Sequence, residues 1–264
     1  MIRVGLAIVV VAMLAAAVGP VLSPYDPASQ ELSRRLERPS VSHPFGLDEL
    51  GRDILSRLLS GARISLLVGL AVVSVSSLVG MLLGSIAGYF GGIVDDVISR
   101  AVDVLMAFPG ILLAIALVAV LGPSLTNVVI ALSVIGWVGY ARLVRSQALR
   151  AREFEFVQAA RALGAGSPRI VLRHVLPTAL PAVVVQATLG MAGAIIAEAS
   201  LSFLGLGVQP PTPSWGTMLD AGRSHLFDAP HLTIFPGLAI ATLVLGFNFL
   251  GDGLRDRVDP KLAR

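Results

Sequence analysis

Six stretches of this chain are apolar enough, over a long enough run, to cross a bilayer as helices: roughly 4–22, 64–90, 104–121, 126–144, 178–201 and 233–250. One crossing needs about 20 predominantly apolar residues. Inside hydrocarbon the backbone finds partners only within a helix or a closed barrel, and no ten-residue apolar/polar alternation marks barrel strands here. The pattern therefore predicts an all-α polytopic membrane protein. Residues 1–22 carry one arginine, an apolar run and the small residues Ala15, Ala16 and Ala17, which also fits a cleaved leader. The run is as long as a full crossing, so a retained span is the expected reading.

Polar interruptions divide the spans. Residues 23–63 form the one long loop, rich in proline and charge. Within it Asp48 is expected to N-cap a helix whose Leu50, Ile54, Leu55, Leu58 and Leu59 share a face and which Gly61 ends. Such a helix would lie on the membrane surface or on a partner. His43, Asp48 and Asp53 are metal-ligand types, but a cap with surface ion pairs explains them more simply, and no metal is expected. Gly80, Gly84 and Gly88 clear a stripe of the second span for close helix packing. Asp95, Asp96, Arg100 and Asp103 read as a solvated turn. Pro109 frees a carbonyl in the third span, which serves a gate or a packing kink equally well. Trp137 and Tyr140, followed by Arg142 and Arg145, mark the fourth span's exit at headgroup level.

One polar insert stands out, residues 153–177. Phe156, Ala159, Ala160 and Leu163 fall at i, i+3, i+4 and i+7, the apolar stripe of a short helix. Gly164 is placed to close it in a left-handed cap. Ser167 as N-cap and Pro168 at the first helical position start a second helix. A helix this short is marginal in water, and two alanines in its stripe permit close approach to a partner's groove. An amphipathic connector resting on the bilayer would show the same periodicity.

Composition fits the pattern: 264 residues, 55% hydrophobic and 14% charged, with mean hydropathy +0.82. Cysteine is absent, so there is no disulfide framework. With an inner N-terminus, thirteen of the twenty basic residues fall on the inner side, including Arg142, Arg145, Arg150, Arg152, Arg161, Arg169 and Arg173. That is the positive-inside arrangement, with the first loop as counterweight. No separate basic domain exists, which argues against nucleic-acid binding. The sole lysine, Lys261, is followed by Leu262, so no Walker A sequence is present. His43, His174, His225 and His231 lie outside the spans, which leaves no catalytic constellation at depth. Neither catalytic residues nor a cofactor are expected. Glu198 is the clear intramembrane carboxylate; it faces a path or outer gate, or packs against Ser200, Ser202 or a partner helix. Gln186 and Asn248 are weaker path candidates.

The wording of the insert is more specific than its periodicity. GlnAlaAlaArgAlaLeuGly at 158–164, nine residues, then HisValLeuPro at 174–177 resembles the EAA loop of ABC-importer permeases, with Gln158 for the Glu and His174 for the Ile. HisProPheGlyLeuAspGluLeuGlyArgAsp at 43–53, GlyAlaArgIleSerLeu at 61–66, residues 198–216 and GlyAspGlyLeuArgAsp at 251–256 look like the dipeptide, oligopeptide and nickel branch, most like its C-type subunit. The resemblance implies an extra N-terminal helix at 1–22, an outer loop at 23–60, a type I importer core over 61–252 and a cytoplasmic tail at 253–264. It implies that Phe156, Gln158, Ala159, Ala160, Leu163 and Gly164 dock an ATPase. The implied partners are a B-type second permease, two ATP-binding subunits and an extracytoplasmic solute-binding protein, in a prokaryotic inner membrane with both termini cytoplasmic. Di- and oligopeptides, glutathione-like molecules or nickel are the substrates it allows. An ion-coupled secondary transporter is the reading from another class, for which only Glu198 qualifies as a mid-membrane carboxylate.

Overall fold

The computed structural model describes residues 1–258; Lys261, Arg264 and the end of the expected 253–264 tail lie outside the described residues. The architecture is helical: α1 (Ile2–Leu22), α2 (Ile54–Phe90), α3 (Gly92–Met106), α4 (Gly110–Leu121), α5 (Leu125–Ala151), α6 (Glu155–Ala162), α7 (Ser167–Ile170), α8 (Leu176–Phe203), α9 (Trp215–Gly222) and α10 (His231–Val258). Five helical runs are long and apolar enough to cross a membrane: α1, α2, α5, the run Ser167–Phe203, and α10. A sixth exists only if α3 and α4 count as one span, and these two meet at 86°.

That bend corrects the expected span 104–121. Pro109 does not kink a helix; it stands as the N-cap of α4. Lacking an N–H and disfavouring helical backbone in the residue before it, proline separates the two segments. α4 has 12 residues, about 18 Å of helix, well short of a ~30 Å hydrocarbon core. The acidic cluster is likewise not a solvated turn. Asp95 and Asp103 sit on α3, where Arg145 Nη2 of α5 donates to Asp95 Oδ2 at 2.6 Å and Arg142 lies 3.8 Å from Asp103.

The expected surface helix at 48–61 also differs. Asp48 does not cap, because the helix starts only at Ile54; its carboxylate accepts instead from the backbone N–H of Leu50 and Arg52 and from Arg52 Nε at 2.7 Å, holding the turn before it. Asp53 is the cap instead, accepting from Ser56 N at 2.8 Å. The helix that starts there does not stop at Gly61 but runs for 37 residues as α2. Gly61 serves packing: a Cβ at that position would lie 3.0 Å from Trp215 Cδ1, and the Trp215 indole donates to Leu58 O at 3.0 Å.

α2 and α5 pack along most of their length, α1 lies against α10 and α2, and α8 fills the space between α2, α5 and α10. The main core joins Val68, Val72, Leu132, Ile195, Leu201 and Leu243. Gly80, Gly84 and Gly88 face α5 backbone: added Cβ atoms would sit 2.7 Å from Trp137 O, 3.0 Å from Ala141 Cα and 2.6 Å from Arg145 O. Residues 23–53 fold back onto the start of α10, with Phe45 stacked on Phe235 at 4.0 Å between ring centroids. His43 Nδ1 pairs with Asp53 Oδ1 at 2.9 Å, and Arg34 Nη1 approaches His43 Nε2 at 3.2 Å. The candidate ligands thus spend their donors and acceptors on one another, on arginines, on Ser56 and on backbone N–H groups.

Candidate translocation cavity and docking segment

The insert leaves α5 through a tight turn and forms α6, whose one buried residue is Val157. Val157 packs with Ile170, Val171, Val175, Ala148, Ala151 and Tyr89, a small core that ties α6 to the ends of α2 and α5. Arg161 adds a cation over the Tyr89 ring at 5.6 Å. The expected apolar stripe lies on another face. Phe156 and Leu163 are 48% and 89% exposed, Ala159 is exposed, and Ala160 is half-buried. Apart from Phe156, whose ring lies 5.8 Å from that of His174, and the half-buried Ala160, the stripe is left uncovered by the described residues.

Gly164 takes φ +85° and closes the helix, with Ala165 N donating to Ala160 O at 3.0 Å. That left-handed position admits glycine at no steric cost. Gln158 is exposed, and its amide donates to Glu153 O at 3.3 Å. Beyond the turn, Gly166 is the N-cap rather than Ser167, which already belongs to the first helical turn with Pro168. The second helix does not end within the insert. It passes through a π-helical turn, Val171–Val175, into α8. Pro177 explains the turn. Its missing N–H cannot bond the carbonyl four residues back, and its ring crowds that carbonyl; Leu176 N accordingly donates five residues back, to Val171 O.

The path candidates separate in space. Gln186 lines a cavity of about 270 Å³ between α2, α4, α5 and α8, together with Ser76, Tyr140, Gly110, Gly136 and Gly193. Glu198 is 1% exposed and does not line it. Its Oε2 accepts from Ser65 Oγ on α2 at 3.0 Å, and its Oε1 accepts from Ser202 Oγ at 2.7 Å. Ser200 takes no part, donating to Ile196 O instead. Glu198 is thus a bonded tie between α2 and α8.

Sequence periodicity missed Val157 as the anchor of α6 and missed the cavity altogether. Val157 is a lone apolar residue beside the regular stripe, so no period singles it out. The cavity is assembled from a few residues on each of four helices, which leaves only the glycines at 110, 136, 190 and 193 as a signal.

Comparison with known proteins accords with this geometry. Residues 80–264 match the family described as the binding-protein-dependent transport system inner membrane component. Residues 1–39 match the N-terminal transmembrane domain of oligopeptide transport permease C. The chain is 48% identical over 259 residues to a dipeptide transport system permease protein of Alkalihalophilus pseudofirmus, covering 98% of this chain and 85% of that relative. It is 49% identical over 242 residues to a glutathione transport system permease protein of Pectobacterium atrosepticum, covering 91% and 80%. Among solved structures, an inward-facing methionine ABC transporter superposes with TM-score 0.61 at 21% identity, over 76% of this chain and 96% of that one. An amino acid ABC transporter crystallised with histidines gives 0.57 at 16% identity, over 76% and 94%. With one family matched over most of its length and the other at its N-terminal helix, this chain belongs to the inner-membrane components of binding-protein-dependent transport systems, as a C-type permease subunit of an ABC importer.

Proposed function

We propose that this permease forms half of a path for di- and oligopeptides and receives its energy from a separate ATP-binding subunit docked on α6. The carrying observation is the α6 surface: Val157 anchors the helix while Phe156, Ala159 and Leu163 stay exposed, in a chain whose sequence has no Walker A motif. An exposed apolar stripe on a short helix is suited to a partner's groove. Gln158 contributes a hydrogen bond there rather than an ion pair, and Gly164 sets the angle at which α6 is presented. The assembly contains a B-type permease, two ATP-binding subunits and an extracytoplasmic binding protein. Both termini and α6 lie on the cytoplasmic side of a prokaryotic inner membrane, consistent with the arginines flanking the insert. The permease core spans 61–252, with α1 and the 23–60 loop preceding it.

Peptides are the substrate class because the two relatives above are named for a dipeptide and for glutathione. Gln186 belongs to the path, and Glu198 supports it by fixing α2 against α8. Deleting residues 153–164 is expected to abolish co-purification of the ATP-binding subunit. Ala159→Arg with Leu163→Glu, at exposed positions that leave the Val157 core intact, should do the same. Normal co-purification with both variants would contradict the docking role.

A further inference from the structure

Away from that cavity, a groove of about 560 Å³ runs between α1 and α2. Its α1 wall is Met13, Ala16 and Ala17, inside the apolar window Ile2–Gly19, and its α2 wall is Leu66, Leu67 and Leu70. The two helices touch just beyond one end, where a Cβ at Gly19 would lie 3.1 Å from Leu59 Cβ. Met191 of α8 and Phe247 of α10, both buried, form the floor. Met13, Leu67 and Leu70 are half or more exposed, so the groove opens sideways, toward the hydrocarbon around spans of this hydropathy.

One residue on its border carries a polar side chain, Arg63. Arg63 is exposed, and the chain bears no further charge until Asp95, which puts it at the edge of the hydrocarbon. Leu70 lies two helical turns below it, about 10 Å along α2. The two preceding arginines, Arg52 and Arg57, both pair with Asp48. Arg63 pairs with no acidic side chain among the described residues.

A long basic side chain at the edge of hydrocarbon extends toward the headgroups, and its planar guanidinium matches two phosphate oxygens at once. An apolar span of a neighbouring protein would fill the groove and leave Arg63 without an anion. A phospholipid supplies both parts, a phosphodiester at the rim and a methylene chain below it. Met13 and Met191 suit such a chain, since flexible thioethers adapt to a surface of no fixed shape. We propose that the groove binds one glycerophospholipid, its phosphate held by Arg63 and one acyl chain lying between α1 and α2 on Met191 and Phe247. On the orientation given above, that lipid belongs to the outer leaflet. The site goes beyond the transport reading and stands whether or not an ATPase docks at α6.

The test compares the assembled importer with its Arg63→Gln and Ala17→Phe variants, each purified in detergent and then given phosphatidylglycerol. Ala17 is exposed, so the ring that Ala17→Phe adds enters the groove without displacing the core. Native mass spectrometry at equal lipid is expected to show one phospholipid more on wild type than on either variant, whose affinity for it falls roughly tenfold, about 1.4 kcal/mol. Phosphatidylglycerol should raise the melting temperature of wild type more than that of either variant. Inorganic phosphate and diacylglycerol, each carrying half of the chemistry, should not reproduce that difference. Without lipid, Arg63→Gln should melt with wild type. Equal lipid retention by all three proteins would overturn the site, leaving bulk lipid against the groove. Protection by inorganic phosphate alone would overturn it in favour of a free anion. A lower melting temperature of Arg63→Gln before lipid is added would show a structural arginine instead. Loss of the second permease from the Ala17→Phe complex would show that a protein helix fills the groove, and would overturn it as well.

Discussion

Gly84 shows how much of this fold is decided one atom at a time. Its Cα faces α5 backbone, where a Cβ would come within 3.0 Å of Ala141 Cα and Arg145 N. No flexible side-chain end can yield there, so the helices must part. Gly84→Val is expected to destabilise by about 1–3 kcal/mol, the usual cost of overpacking, read as a lower melting temperature in lipid nanodiscs. Gly237→Ala on α10 is the control. The nearest atom is Leu219 Cδ2 at 3.9 Å, so this change should be neutral or gain up to ~1 kcal/mol from helix propensity. Equal losses at both sites would show that glycine content, rather than close approach, governs the pair. This stripe was legible in the sequence because four-residue glycine spacing maps directly onto one helix face. The Asp48 cap was misread, since Asp48 and Asp53 are equivalent by residue type. Only tertiary partners, Arg52 for one and the Ser56 N–H for the other, separate their roles.

At the scale of elements, α3 and α4 are the least predictable part. A hydropathy window registers composition and passes over a bend, so residues 104–121 read as one span although Pro109 was visible. α3 runs beside the ends of α2 and α5 and is held by the Asp95–Arg145 pair, with Ser99 Oγ donating to Asp95 at 3.2 Å. Asp95 is 15% and Arg145 39% exposed, so the pair contributes at most about 1 kcal/mol. In a double-mutant cycle, Asp95→Ala and Arg145→Ala should each lower stability slightly, and the second should add little to the first. Strict additivity would mean that the two do not hold α3 together. The insert was read correctly as helix, turn, helix because Gly164 and Pro168 punctuate it. Its continuation into α8 was not, because an apolar residue at a π-helical turn has the same composition as one in an α-helix.

For the whole molecule, the all-helical class and five of the six expected spans followed from apolar run lengths alone, whereas the bent α3–α4 pair and the cavity depended on how helices meet. On the proposed function, a chain without a Walker A sequence moves solute by receiving work from an ATPase at α6. Glu198, the carboxylate that a proton-coupled carrier would need, is buried between α2 and α8 and accepts from Ser65 and Ser202. The most direct measurement is uptake of labelled dialanine by proteoliposomes holding the assembled importer and its binding protein, with ATP trapped inside and an uncoupler present. An ATPase-driven importer gives uptake that requires ATP and is unchanged when the proton gradient collapses; uptake that persists without ATP and vanishes with the uncoupler would contradict the docking role of α6.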